Sequence, residues 1–154
     1  VTLDIGHSAP DFTLPQDGGD PVTLSALRPS RVVLFFYPKD NTPGCTTEAI
    51  DFTNHLEEFK SLGVEIIGIS KDSIRKHANF RTKHELGVSL VSDADSDTCE
   101  RYGVWKEKSM YGKTFWGIER TTILIDGNGE ILRIWNKVKV PGHVQDVLET
   151  VKSL

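Results

Sequence analysis

Of the two cysteines in this 154-residue chain, Cys45 sits where sulfur chemistry is favoured. It closes the stretch Pro38-Lys39-Asp40-Asn41-Thr42-Pro43-Gly44-Cys45, which follows the apolar run Val32-Val33-Leu34-Phe35-Phe36-Tyr37. After it, Ala49, Phe52, Leu56 and Phe59 recur at helical steps. A buried strand, a short loop and a helix start are the simplest reading. Thr42 and Pro43 read as N-cap and first helical residue, so Cys45 falls in the first turn. The unpaired N–H groups and the positive dipole end there favour an anion. A thiol so placed ionises more readily, and the thiolate is the nucleophile. The plainer reading is a small buried apolar side chain, as cysteine often is. The loop, the polar Asp40, Asn41 and Thr42, and the helix start weigh toward the reactive one.

The elements that must position this residue follow from the pattern. Phe12-Thr13-Leu14 and Val22-Thr23-Leu24 flank Gly18-Gly19-Asp20, which predicts a small hairpin. Arg31–Tyr37 reads as a central strand, apolar on both faces as parallel sheets require. One helix is predicted from about Thr42 to Leu62, stopped by Gly63. Val64–Ser70 is a second strand. A helix capped by Asp72 or Ser73 runs to about Leu86 and closes at Gly87. Leu90-Val91 is a short strand, followed by turn residues 93–97 and a short helix through Tyr102. Residues 103–118 read as loop. Arg120–Ile125 and Glu130–Trp135 flank the turn Asp126-Gly127-Asn128-Gly129 as antiparallel strands. Gly142–Val151 is a final amphipathic helix, with Val144, Val147, Leu148 and Val151 on one face.

This is an α/β order: strand-helix-strand-helix, then a hairpin, then a helix. It resembles the thioredoxin-like fold with an N-terminal extension and an inserted strand–helix unit. The expectation is one domain over residues 1–154. Hydrophobic residues at 38% and charged residues at 26% fit a globular chain. A net charge of −4 carries no footprint for nucleic acid. The longest apolar run is six residues, Val32 to Tyr37, far too short for a membrane span. Residues 1–7 show no basic-then-apolar leader pattern, and two cysteines make no disulfide scaffold. Together these point to a cytoplasmic setting.

The cysteine segment resembles the Pro-x-x-x-Thr-x-x-Cys signature of peroxiredoxins at Pro38, Thr42 and Cys45. The string from Tyr37 through Thr46-Thr47-Glu48-Ala49 is similar to the peroxiredoxin Q branch, also called bacterioferritin comigratory protein. Ala9-Pro10-Asp11-Phe12, Gly68–Ser73, Ser92-Asp93, Tyr102–Trp105, Gly117–Thr122 and Gly142-His143 agree. The resemblance implies thiol-dependent reduction of hydrogen peroxide and organic hydroperoxides, with no cofactor and no metal. It implies Cys45 as the peroxidatic nucleophile that becomes a sulfenic acid. It implies that Thr42 holds thiolate and peroxide, that Arg120 stabilises developing charge, that Pro38 walls the pocket, and that Glu48 orients Arg120. Taken singly, Arg120 is a strand-end charge, Glu48 a first-turn acid and Thr42 a plain N-cap.

One departure matters. Many relatives carry a resolving cysteine five residues beyond the peroxidatic one, where this chain has Ile50; others place it on the next helix, and residues 72–87 contain none. The remaining thiol, Cys99, reads as a small buried side chain, with an intramolecular resolving role or a dimer or regulatory role as alternatives. The expected cycle therefore uses one cysteine, reduced by an external thiol such as thioredoxin, glutaredoxin or a small thiol. The protein is expected to act as a monomer or weak homodimer. A disulfide-exchanging thiol transferase and a non-turnover redox sensor or holdase are the competing readings. The absence of Cys-x-x-Cys speaks against a dithiol reductase. His7, His55, His77, His84 and His143 show no metal spacing. The basic 71–84 segment reads as a solvated helix face. Tyr111, Phe115 and Trp116 read equally as substrate mouth or loop packing.

Overall fold

A computed structural model of the chain describes residues 3–154. Val1 and Thr2, at the head of the stretch read for a leader, lie outside the described residues. β1 (Thr13–Leu14) and β2 (Val22–Thr23) form the small hairpin expected around Gly18. β3 (Arg31–Phe36) leads to α1 (Pro43–Asn54) and α2 (Leu56–Ser61). Then come β4 (Val64–Ser70), α3 (Ile74–His84), β5 (Ser89–Ser92) and α4 (Thr98–Arg101). The chain ends with β6 (Trp105–Met110), β7 (Lys113–Ile118), β8 (Thr121–Ile125), β9 (Ile131–Trp135) and α5 (His143–Lys152).

The central sheet has the order β5-β4-β3-β8-β9. β3, β4 and β5 run parallel, while β8 is antiparallel to both β3 and β9. Strand periodicity divides the core in two. Val33, Phe35 and Tyr37 face one cluster with Cys45, Ala49 and Phe52 of α1 and Val144, Val147 and Leu148 of α5. Val32, Leu34 and Phe36 face the other, with Phe12, Leu14, Cys99 and Tyr102. The two cysteines therefore belong to opposite faces of the sheet.

Three local expectations are corrected. The helix expected over 42–62 breaks at His55, whose backbone leaves the helical region (φ −104°, ψ 7°). Its ring Nδ1 lies 2.9 Å from the Asp51 carbonyl and competes for that acceptor. α3 ends at Glu85 in the left-handed region (φ 52°), not at Gly87. Arg81 explains the early stop, because its guanidinium donates to the carbonyls of Leu86 (2.7 Å) and Val88 (2.8 Å). Residues 103–118 are not a loop: β6 and β7 pair as a hairpin through Tyr111-Gly112, both at positive φ. Most of its residues are exposed on both faces, so no period-two pattern marked it.

Gly68 ties this packing to the cysteine. It pairs with Phe35, and a Cβ there would lie 2.6 Å from Phe35 Cζ and 3.1 Å from Leu90 Cδ2. The missing side chain lets the Phe35 ring stack on Phe52 of α1 at 4.6 Å between centroids, which seats the helix bearing Cys45. Gly68→Ala is expected to destabilise the protein by about 1–3 kcal/mol through overpacking, seen as a lowered urea midpoint. An unchanged midpoint would show that Phe35 and Leu90 yield freely.

Candidate active site

Thr42 has extended backbone (φ −91°, ψ 151°) and Pro43 opens α1, so Cys45 is its third residue. Free N–H groups of the first turn point toward this end of the helix. Residue Cys45 is 1% exposed. The opposing group arrives from β8. Thr121 pairs with Phe36, so Arg120 leaves the sheet beside the end of β3, where the chain turns toward α1. Its carbonyl accepts from Val138 N–H at 3.0 Å. Arg120 Nη2 donates to Cys45 Sγ at 3.3 Å, and Nη1 donates to Glu48 Oε1 at 2.7 Å. Gly44 eases the approach, since a Cβ there would lie 3.1 Å from Arg120 Nη2 and press the guanidinium back by a few tenths of an ångström.

One cation thus faces two acidic groups. Arg120 is held above the ordinary arginine value: burial opposes its charge, but Glu48 and Cys45 outweigh it. Glu48 is fully buried, and burial pushes its carboxyl up to about 7 although the charge and hydrogen bond of Arg120 pull the other way. Its second oxygen has no hydrogen-bond partner. A second cation, Lys108 of β6, donates to the Ile118 carbonyl and also feels Cys45. Burial, then the nearby Arg120, hold Lys108 below the ordinary lysine value.

The structure brings Cys45, Glu48 and Arg120 into direct contact. Thr42 is adjacent, but its hydroxyl donates to the Lys39 carbonyl at 2.8 Å rather than to the sulfur or to the helix. Pro38 lines a cleft of about 250 Å³ together with Lys71, Trp105, Lys108, Phe115 and Trp116. Phe115 and Trp116 thus line a cleft whose walls do not include Cys45, while Tyr111 stands almost fully exposed at the hairpin tip. Cys99 stays apart, buried on the far face of the sheet, with its N–H donating to Asp93 at 2.8 Å. Burial first, and the charge of Asp93 next, hold its thiol far above the ordinary cysteine value.

Sequence reading missed several groups here. Lys108 was hidden in the supposed loop. His143 is buried with Nε2 2.8 Å from Thr122 Oγ1, and burial pushes it down to about 4, so it is neutral near pH 7. His77, set aside because its spacing fits no metal site, is fully buried against Asp40.

Comparison with known proteins identifies the family. The model of the AhpC/TSA family matches residues 5–134. The chain is 47% identical to peroxiredoxin Bcp of Bacillus subtilis over 154 residues, all of this chain and 98% of the relative. The chain belongs to the peroxiredoxin family. A solved structure of the Xanthomonas campestris bacterioferritin comigratory protein, studied for its alkyl peroxide reduction activity, has a TM-score of 0.87 at 45% identity. It covers 92% of this chain, which covers 90% of it. A cysteine variant of Xylella fastidiosa PrxQ has a TM-score of 0.94 at 38% identity, covering 99% of this chain and 98% of its own. These place this peroxiredoxin in the Q branch, with a thioredoxin-like fold, and make it a thiol peroxidase. Among the described residues, no helix of this peroxiredoxin is long and apolar enough to cross a membrane.

The raised Glu48 carboxyl gives a testable linkage. Its folded value of about 7 lies above the ordinary 4.5, so its stabilising contribution is full below pH 4.5 and is lost as the pH rises through 7. Glu48→Gln cannot ionise. Urea unfolding across that window should show the wild type losing stability relative to the variant as pH rises. A constant difference would mean that Glu48 is already ionised at the acid end.

Proposed function

We propose that Cys45 is the peroxidatic nucleophile of a one-cysteine hydroperoxide reductase. The observation that carries this reading is the guanidinium of Arg120 held at 3.3 Å from Cys45 Sγ by buried Glu48. The thiolate attacks one oxygen of a hydroperoxide. An S–O bond forms, the O–O bond breaks, and Cys45 becomes a sulfenic acid while the alkoxide or hydroxide leaves and takes up a proton. The peroxide gains the two electrons that sulfur loses. Arg120 is already aimed at the reacting atoms, so its charge meets the anion that develops without reorganisation. Glu48 fixes the guanidinium in place. The Thr42 hydroxyl, donating to Lys39, keeps its oxygen free to accept the O–H of the incoming hydroperoxide. Pro38 shields the sulfur from bulk water.

The sulfenic acid is then attacked by an external thiolate, water leaves, and a mixed disulfide forms. A second thiol releases Cys45 and carries away the oxidised donor. Thioredoxin, glutaredoxin and small thiols all fit this chemistry in a cytoplasmic setting. Placement of Cys99 across the sheet supports this cycle over an internal disulfide, because a bridge needs Cα atoms within about 7 Å. Its protonated, buried thiol supports the same choice. Both hydrogen peroxide and organic hydroperoxides are substrates in this reading; the alkyl peroxide activity studied in the Xanthomonas relative favours the second class.

Mass analysis after one equivalent of peroxide should show one added oxygen on Cys45 and no Cys45–Cys99 disulfide. Cys99→Ser should retain thiol-supported peroxidase turnover, and Cys45→Ser should abolish it. Detection of the internal disulfide, or loss of turnover in Cys99→Ser with folding intact, would overturn the one-cysteine cycle. Activity remaining in Cys45→Ser would overturn the nucleophile.

A further inference from the structure

Beneath the loop that precedes Cys45 lies a buried charged network that the reaction scheme does not use. His77, on α3, is fully buried, and both of its ring nitrogens are engaged. Nε2 lies 2.9 Å from the carbonyl oxygen of Val91 on β5, and Nδ1 lies 2.6 Å from Asp40 Oδ2. A carbonyl oxygen only accepts, so Nε2 carries a proton. Asp40 Oδ1 accepts the Tyr37 hydroxyl at 2.7 Å, and Oδ2 is the acceptor that faces Nδ1. Donation from Nδ1 to Oδ2 gives the ring both protons and a positive charge.

Asp40 sits between Pro38 and Thr42, in the middle of the loop. Its own N–H donates to Asp72 Oδ2 at 2.7 Å, and the same oxygen accepts the Ser70 hydroxyl at 2.9 Å. Ser92 donates to the Asp72 carbonyl at 2.6 Å. The next residue, Asn41, turns the loop in the left-handed region (φ 61°), which asparagine tolerates. The groups facing His77 are Tyr37 at the end of β3, Asp40 in the loop and Asp72 at the head of α3. Lys76 is 4.0 Å from the other oxygen of Asp72 and is mostly exposed. From β5 the ring meets a carbonyl, not a charge. His77 is thus buried against the Asp40 carboxylate, with Asp72 a second acidic group whose charge it also feels.

We propose that His77, as a buried imidazolium, is a positioning residue for peroxide reduction: through Asp40 it holds the loop that places Pro38 and Thr42 beside Cys45. This rests on the reading of Cys45 as nucleophile. A neutral ring with its proton on Nε2 would turn a lone pair toward the Asp40 carboxylate at 2.6 Å and leave Asp40 without its buried cation. Burial works against the charged ring, but the hydrogen bond and charge of Asp40, the Val91 carbonyl and Asp72 outweigh it and hold His77 above the ordinary histidine value. By linkage, its contribution is full below the ordinary value and is lost as the pH rises through the folded one.

Nitrogen NMR of the wild-type protein at neutral pH reads the protonation state directly. Both His77 nitrogens should be protonated. The rate of Cys45 oxidation by hydrogen peroxide should fall on the alkaline side with the midpoint of the His77 signals. His77→Gln, which cannot donate to both acceptors and carry charge, should react about 10- to 100-fold more slowly and lack that alkaline limb. A merely structural role would lower the melting temperature without moving the pH profile. A single protonated nitrogen at neutral pH, a wild-type rate that ignores the His77 midpoint, or a wild-type rate in a folded His77→Gln would each overturn the proposal. The NMR result stands independently of Cys45→Ser, so failure of the nucleophile assignment is distinguishable from failure of this one.

Discussion

Arg120 has one positive charge, and two acidic groups compete for it. Cys45 lies 3.3 Å from one guanidinium nitrogen and Glu48 lies 2.7 Å from another. The site is nearly dry, with Cys45 and Glu48 buried and the Arg120 side chain 16% exposed. In such surroundings a charge is costly to hold. Burial accordingly raises the Glu48 carboxyl to about 7, although the charge and hydrogen bond of Arg120 pull it down. Much of the fold near the site serves this contact. The β3–β8 register delivers Arg120 to the end of β3, Gly44 clears space for it, and the Phe35–Phe52 stack sets α1.

The strand alternation that builds two cores also separates two thiols. Cys45 packs on the face with α1 and α5, at a helix start and beside a cation. Cys99 packs on the other face against Asp93, where burial and a like charge hold its proton. Two cysteines near helix starts thus have different surroundings: a guanidinium faces Cys45, and burial with the Asp93 carboxylate surrounds Cys99.

Legibility in the sequence followed burial. The apolar strands β3, β4 and β8, the turn at Asp126–Gly129 and the amphipathic α5 were readable because each presents a regular pattern to a core. Thr42-Pro43 marked the start of α1 for the same local reason. The β6–β7 hairpin was not readable, because most of its residues on both faces are exposed and it carries no clear alternation, and its Lys108 went unseen with it. The break at His55 and the early end of α3 came from side chains capturing carbonyls, Arg81 from 5 and 7 residues away, which periodicity does not encode. Arg120 and Glu48 were reached through resemblance, since 72 positions separate them in the chain. The pairing of His77 with Asp40 spans 37 positions and a charge balance that composition hides.

The most direct measurement is the rate at which peroxide oxidises Cys45 in Arg120→Met, followed by rapid mixing before any reductant acts. Methionine keeps much of the length and removes the charge and both donors. The account predicts a rate lower by about 100- to 1000-fold, partly restored in Arg120→Lys. A wild-type rate in a folded Arg120→Met protein would contradict it, and would mean that the helix start alone equips this sulfur for its chemistry.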